Sequence, residues 1–184
     1  MEKGLDYVFD KNTKVIIMGT FPSIKSRDFC YYNNPQNQFW RIISKICNDE
    51  KVIQGSKEER YDCLYKNNIG LWDVIESCEF KEKSSLDSKI IKDSIIYNDF
   101  SLLLKECPNL ECIVFNSKKA QKFFERYLKQ IDKYPNLKNE AYRDWLKNKV
   151  SKTVLPSPSS AYARMGPEDK LKKWEELLSK YVKK

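Results

Sequence analysis

The 184-residue chain contains no histidine. That excludes serine–histidine and cysteine–histidine catalysis and removes the commonest metal ligand. Its six cysteines, at positions 30, 47, 63, 78, 107 and 112, form no Cys-x-x-Cys pair. Zinc sites are built on such closely spaced Cys or His pairs, so no metal and no other cofactor is expected. Several of these cysteines sit among apolar neighbours and read as buried reduced thiols rather than a disulfide framework. No apolar run approaches the ~18 residues of a membrane span, and the first ten residues, MEKGLDYVFD, lack the apolar segment of a leader peptide. The expectation is a cytoplasmic protein with no membrane partner. Neither Gly-x-x-x-x-Gly-Lys nor Gly-x-Gly-x-x-Gly occurs, so the familiar glycine-rich phosphate cradles are absent too.

What the chain does have is a substantial core. Hydrophobic residues make up 41% and aromatics 13%, which argues for one folded domain over residues 1–184 and against disorder. A monomer is expected. Lys and Arg number 34 against 26 Asp and Glu, a formal charge of +8. A nucleic acid fits that balance, and so does a lysine-rich composition that only keeps the surface solvated. Charge alone leaves both open.

Short apolar runs alternate with helical periodicity along the chain. Val15-Ile16-Ile17-Met18 ends at Gly19 and reads as a strand buried on both faces. Phe39, Ile42, Ile43 and Ile46 then fall on one helical face. A helix over 58–65 follows, then a strand at Ile69-Gly70-Leu71-Trp72 with Asp73 at its carboxyl end. Residues 80–86 read as an exposed loop, 88–98 as helical, and 99–106 as a helix closed by Pro108. Cys112-Ile113-Val114-Phe115 is a third strand. The helix after Asn116-Ser117 buries Ala120, Phe123, Phe124, Tyr127, Leu128 and Ile131. Residues 133–149 suggest a surface helix, and 150–155 a fourth strand. Pro156 and Pro158 force an irregular loop, and Pro167 opens a last helix with Leu171, Trp174, Leu177, Leu178 and Tyr181 inward. The alternation predicts an α/β fold, a three-layer α/β/α sandwich with a mainly parallel central sheet of about four strands. Such sheets bind ligands at the carboxyl ends of their strands. The 19–40 loop, Asp73 and the 156–165 loop converge there.

Those loops are poor in acids and bases. For proton transfer they offer almost nothing except Asp28, Asp73 and the tyrosines; Asn, Gln, Ser, Thr, aromatics and backbone amides dominate. That inventory suits flat, neutral, hydrogen-bonding ligands such as nucleobases, with electrostatic stabilisation and water placement rather than strong acid–base work.

Gly19-Thr20-Phe21-Pro22-Ser23 followed by Tyr31-Tyr32-Asn33-Asn34-Pro35-Gln36-Asn37-Gln38-Phe39-Trp40 resembles the first motif of the uracil-DNA glycosylase superfamily. It is most similar to the hypoxanthine-DNA glycosylase branch, whose second piece runs Tyr-Tyr-Ala-His-Pro-Arg-Asn-x-Phe-Trp. Leu155-Pro156-Ser157-Pro158-Ser159-Ser160-Ala161-Tyr162 resembles the second motif, a His-Pro-Ser-Pro-Leu-Ser loop that grips the DNA backbone. Ile69-Gly70-Leu71-Trp72-Asp73-Val74 and Ile113-Val114-Phe115-Asn116 sit where that family has its next strands. The likeness spans residues 13–178.

The resemblance implies a monofunctional glycosylase of base excision repair. It would act on double-stranded DNA containing deaminated bases: deoxyinosine, with deoxyuridine and deoxyxanthosine as further candidates. It implies base flipping, and no strand nicking, since no Schiff-base lysine is evident. Many relatives carry a catalytic Asp or Asn where this chain has Phe21; the hypoxanthine branch uses the Asn matching Asn37, which can also cap the following helix. Gly19, Thr20, Phe21, Tyr32 and Asp73 are implied around the base, Thr20 and Phe21 through their amides and Tyr32 as a stacking platform. Tyr32 also reads as ordinary core, and Asp73 as a turn cap. Ser23, Lys25, Pro156, Ser157, Ser159, Ser160, Tyr162 and Arg164 are implied at the DNA. Lys118 and Lys119 lie at the same edge, and Asn116-Ser117 reads as a helix start rather than a ligand site. Asn34 and Gln36 replace the branch's His and Arg, and Leu155 replaces the second-motif His. Ser159 stands where relatives carry a leucine wedge, which leaves Tyr162, Arg164 and Met165 as candidates for the vacated stack. A non-catalytic DNA-binding module and a small-molecule nucleoside hydrolase remain the alternatives.

Overall fold

The computed structural model describes residues 1–27, 29–82, 86–131 and 140–183. Four parallel strands form the central sheet: β2 (Val15–Gly19), β3 (Ile69–Asp73), β6 (Cys112–Phe115) and β7 (Ser151–Val154), in the order β3-β2-β6-β7. A strand alternates its side chains between faces, and here both faces are covered. Ile16, Met18, Trp72, Ile113 and Phe115 join one core with α4 (Ser101–Glu106), α5 (Lys118–Gln130) and α6 (Glu140–Asp144). Val15, Ile17, Ile69, Leu71, Cys112 and Val114 join the other with α2 (Phe39–Cys47), α3 (Lys57–Lys66) and α7 (Pro167–Leu178). This is the three-layer α/β/α sandwich that the alternating pattern predicts. The β3 edge is closed by Val8, which exchanges two backbone hydrogen bonds with Leu71.

Local chemistry explains several helix starts. Ser56 and Glu59 form a reciprocal capping box at the start of α3. Ser117 accepts from the Ala120 amide at the start of α5, and Pro167 occupies the first position of α7. The six cysteines are free, all buried except the half-buried Cys47.

Several expectations need correction. Residues 88–98 are not a helix. They form two short 3-10 turns, Asp87–Lys89 and Lys92–Ser94, and then β5 (Ile96–Tyr97). Four β-branched isoleucines in this stretch favour extended backbone, and Ser94 Oγ closes the turn by accepting from Glu79 N and donating to Ile91 O. The chain also continues past Asp73 into β4 (Ile75–Cys78), which joins β5 and β1 (Glu2–Lys3) in a small antiparallel sheet. The 80–86 loop carries a half-buried Phe80 that bridges to Ile90. The first loop holds a short helix, α1 (Ile24–Arg27). Within the 133–149 stretch, residues 133–139 lie outside the described ones, but α6 is no surface helix: Tyr142 is buried with its hydroxyl 3.1 Å from that of Tyr127. No helix among the described residues is long and apolar enough to cross a membrane.

The α4–α6 core centres on Phe100, which is fully buried and packs edge-on against Trp72, Phe124 and Tyr127. Phe100→Ala is expected to lower stability by about 3–5 kcal/mol in urea unfolding. A loss below about 1 kcal/mol would mean that this cluster repacks.

Candidate active site

The site begins as a consequence of strand register. Gly19 lies opposite Asp73 in the β2–β3 pairing, and Met18 lies opposite Phe115, so Gly19 is flanked on its other side by Asn116. Leu155 continues the row, its amide donating to Phe115 O at 2.9 Å. In parallel strands, residues level with one another point to the same face. Asp73, Gly19, Asn116 and Leu155 therefore form one row on the α2/α7 side, at the carboxyl ends of the strands. A Cβ on Gly19 would collide with Asp73 Oδ1 and come within 3.1 Å of Asn116 Nδ2. Only glycine leaves that slot open. By sequence, Asn116-Ser117 reads as a helix start rather than a ligand site; its level with Gly19 is what brings Asn116 into the row.

The first loop folds over this row. Asn116 Nδ2 donates to Tyr32 Oη at 2.8 Å. The Tyr32 ring stacks on Phe39 with centroids 3.9 Å apart, so one of its faces is already covered. Tyr32 adopts φ 57°, a left-handed conformation that costs a bulky residue on the order of 1 kcal/mol. The fold holds it there. Trp40 Nε1 donates to Tyr31 O, and the buried Arg60 donates to Val52 O, Ile53 O, Cys30 Sγ and Asn33 Oδ1 while lying 5.2 Å over Trp40. The amides of Thr20 and Phe21 donate no hydrogen bond among the described residues. Phe21 is buried, with its ring against Phe80 and Arg27.

Asn37 sits just before α2. Its Oδ1 accepts from the Phe39 amide at 2.9 Å, so it supports the helix start, while its NH2 has no partner among the described residues. Next to it, Gln38 donates its amide to Pro158 O, joining the first loop to the second. Asn34 and Gln36 meet each other, Asn34 Oδ1 accepting from Gln36 N. Asp28 lies outside the described residues.

Asp73 is the most unusual group. It is 4% exposed and its Oδ2 is buried without a hydrogen-bond partner. Burial, reinforced by the negative charge of Asp87, pushes its carboxyl up to about 8. Asp87 is itself half-buried and raised by burial, against the opposing pull of the Thr20 hydroxyl and Lys119. The Thr20 hydroxyl lies near it without reaching hydrogen-bond geometry. Asp87 was invisible to sequence reading, because it sits in a stretch with no periodic pattern and reaches the site only through the fold.

The second loop is internally braced. Ser157 Oγ accepts from Ser159 N, and Ser159 Oγ accepts from Ala161 N. Ser160 is exposed. Lys170, 1% exposed on α7, donates to Ser159 O at 3.1 Å and lies 5.3 Å from the Tyr162 ring centroid. Burial lowers its pKa. Lys170 falls four residues before Trp174 on the inward stripe of α7, and that spacing is a signal the sequence reading passed over. Trp174 Nε1 donates to Pro156 O at 2.9 Å. Beside this loop runs an open cavity of about 750 Å³. Lys118, Lys119, Arg164, Lys173 and Lys180 line it, together with Pro156, Ser157 and Tyr162, and Glu176 is its acid. The cavity does not include Tyr32, Asn37 or Asp73; Lys119, which also influences Asp87, connects the two regions. Lys25 is exposed, Ser23 Oγ lies 3.0 Å from Ser26 Oγ, and Arg27 is engaged by Glu2.

Comparison with known proteins gives concordant results. The profile of the Uracil DNA glycosylase superfamily matches residues 7–179. A Methanosarcina acetivorans protein named hypoxanthine DNA glycosylase is 34% identical over 179 residues, covering 97% of this chain and 98% of that one. A Methanosarcina barkeri protein of the same name is 35% identical over 123 residues, 66% of this chain and 75% of its own. A solution NMR structure of a Methanosarcina acetivorans protein, provisionally described as a uracil DNA glycosylase, superposes with a TM-score of 0.72 at 32% identity, covering 97% of both chains.

The raised carboxyl of Asp73 has a consequence for stability. In the unfolded chain it ionises near ~4; folded, it does so at about 8. Between those values the folded state holds the extra proton, so stability is full below pH ~4 and falls as pH rises towards 8. Asp73→Asn cannot ionise. Its melting temperature relative to the native protein is expected to climb between pH 5 and pH 8, by several degrees. A pH-independent difference would contradict the buried, ionisation-resistant carboxyl.

Proposed function

We propose, from the premise that this chain belongs to the Uracil DNA glycosylase superfamily, that it excises deaminated bases from duplex DNA, with deoxyinosine its main substrate. The enzyme is a DNA glycosylase. The reading towards deaminated purines draws support from the two relatives named hypoxanthine DNA glycosylase. The observation that carries it is the slot over Gly19, bounded by the Asp73 carboxyl and the Asn116 amide. A flat base edge presenting both donors and acceptors matches that pair.

The proposed sequence of events follows from the residues. The lysine-lined cavity and the 156–162 loop hold the phosphate backbone. The nucleotide swings out of the stack at a cost of a few kcal/mol, less at a mismatch. Its base stacks on the face of Tyr32 turned away from Phe39 and meets Asn116 and Asp73 with its edge. The unengaged amides of Thr20 and Phe21 stabilise charge building on the departing base; losing one such donor costs on the order of 10²–10³ in rate. Asn37, held by its bond to the Phe39 amide, uses its remaining NH2 and oxygen lone pair to place water against the sugar cation. An amide is a poor base, so bond cleavage runs ahead of water attack.

Incubation with duplexes carrying deoxyinosine, deoxyxanthosine or deoxyuridine, followed by alkaline cleavage, should reveal abasic sites, most abundantly from deoxyinosine. Retention of every base would overturn the substrate reading, and duplex binding without release would point to a binding module. Release of hypoxanthine from free deoxyinosine with no preference for duplex would point to a nucleoside hydrolase.

Asn37→Ala and Asn37→Ser should both slow single-turnover release by about 100-fold. Ser retains an acceptor for the Phe39 amide, so only Ala should also lose about 1 kcal/mol of stability. Near-native rates in both would remove Asn37 from the chemistry. Arg164→Ala should weaken DNA binding evenly across sequences and reduce the log–log salt slope by about 0.9. An unchanged slope would take Arg164 off the backbone.

A further inference from the structure

A carboxyl group is a costly choice for reading a base edge. An amide would supply a donor and an acceptor with no proton to hold, and Asn116 offers one on the far side of β2. Asp73 is nonetheless buried to 4% exposure, and its Oδ2 has no partner. It forms no ion pair among the described residues. The charged group that influences it is a second carboxyl, Asp87, carried on the 3-10 turn between β4 and β5. A buried carboxyl with an unpartnered oxygen, no cation beside it and a second acid acting on it holds its proton. This is the arrangement that keeps an acid available at neutral pH.

Resting on the proposed excision of a deaminated purine, we infer that Asp73 is the general acid of the reaction and that Asp87 is the positioning residue that keeps its proton in place. As the bond between C1′ and the base nitrogen breaks, its electron pair moves into the base. The Asp73 O–H proton passes to a ring nitrogen of that base, which leaves neutral. Asp73 remains as a carboxylate. The water beside Asn37 adds its oxygen to C1′ and releases its surplus proton to solvent, from which Asp73 is protonated again. The net reaction divides one water between sugar and base. A purine carries ring nitrogens outside the glycosidic bond that accept such a proton. The pyrimidine uracil carries carbonyl oxygens instead. Asp73 is therefore also a determinant of substrate class.

The surroundings support this from every side. The loop after β2 brings the Thr20 hydroxyl and the phenols of Tyr31 and Tyr32, both raised by burial and then by Asp73 and so neutral at working pH. The end of β6 brings Asn116. The segment after β5 brings Asn98, whose amide donates to the Asp73 backbone carbonyl at 2.8 Å. Asp87 is the charged group facing Asp73, with Lys119 of α5 acting on Asp87. With its carboxyl pushed to about 8, Asp73 stays protonated through the neutral range.

The test is single-turnover release of hypoxanthine from duplex DNA at saturating enzyme, from pH 5.5 to 9.5. The native enzyme should show a rate that is level below about pH 8 and falls about tenfold per unit above it. Asp73→Asn should be about 10²–10⁴-fold slower and should lose the break. Asp87→Asn should keep the break but move it to lower pH, because removing a like charge lets Asp73 ionise earlier; a purely structural role would not shift it. The stability measurement at pH 5 and pH 8 separates misfolding of the variants from loss of the acid. A native profile level to pH 9, a break that persists in Asp73→Asn, or a break unmoved in Asp87→Asn would each overturn the assignment while leaving excision intact. A native enzyme that releases no hypoxanthine would overturn the excision reading and this inference with it.

Discussion

The arrangement of the site depends on one missing side chain. Gly19 ends the central strand, between Asp73 on one neighbour and Asn116 on the other. Parallel strands in register place their side chains level on a common face, so three ordinary residues here would fill the row with contacts. Glycine leaves a gap, and the carboxyl and amide occupy its margins. The gap also explains the charge state of Asp73. Enclosed by three strand ends and the first loop, it is 4% exposed, and the charge that acts on it is that of another acid, Asp87.

Around that gap the loops are held by bonds that run between elements. Arg60, on α3, has no carboxylate partner among the described residues; its donors go to two backbone carbonyls, a thiol and the Asn33 side chain. Lys170, on α7, does the same for the second loop through Ser159 O. Two buried cations thus brace the two loops that the family resemblance singled out, and Gln38 N to Pro158 O ties those loops together. Such bracing holds Tyr32 in a left-handed conformation that its own side chain disfavours, and so fixes the stacking ring relative to the row of polar groups.

Much of this was legible in the chain. The apolar runs at 15–18, 69–72 and 112–115 became parallel strands because a strand covered on both faces must be apolar at every position. The helical faces of α2, α5 and α7 were readable from spacing. Residues 88–98 misled because isolated polar residues among isoleucines imitate a weak helical pattern, while the β-branched side chains favour extended backbone. The lysine-rich 133–149 stretch suggests a surface helix because the partner that buries Tyr142, Tyr127, lies on another helix. Strand β4 was missed because its pairing is with Glu2–Lys3 and Ile96–Tyr97, short segments with no strand signature of their own.

The sequence by itself determined the layers of the fold, the family motifs and the identity of the polar groups near the strand ends, since periodicity and composition are local properties. The tertiary structure alone decided that Asn116 stands level with Gly19, that the charge of Asp87 acts on Asp73, and that burial pushes the Asp73 carboxyl well above the usual carboxylate range. Those are properties of register and enclosure. A carboxyl group is ionised or neutral according to the water and charge around it, and no reading of a single strand reveals what the neighbouring strands and loops exclude.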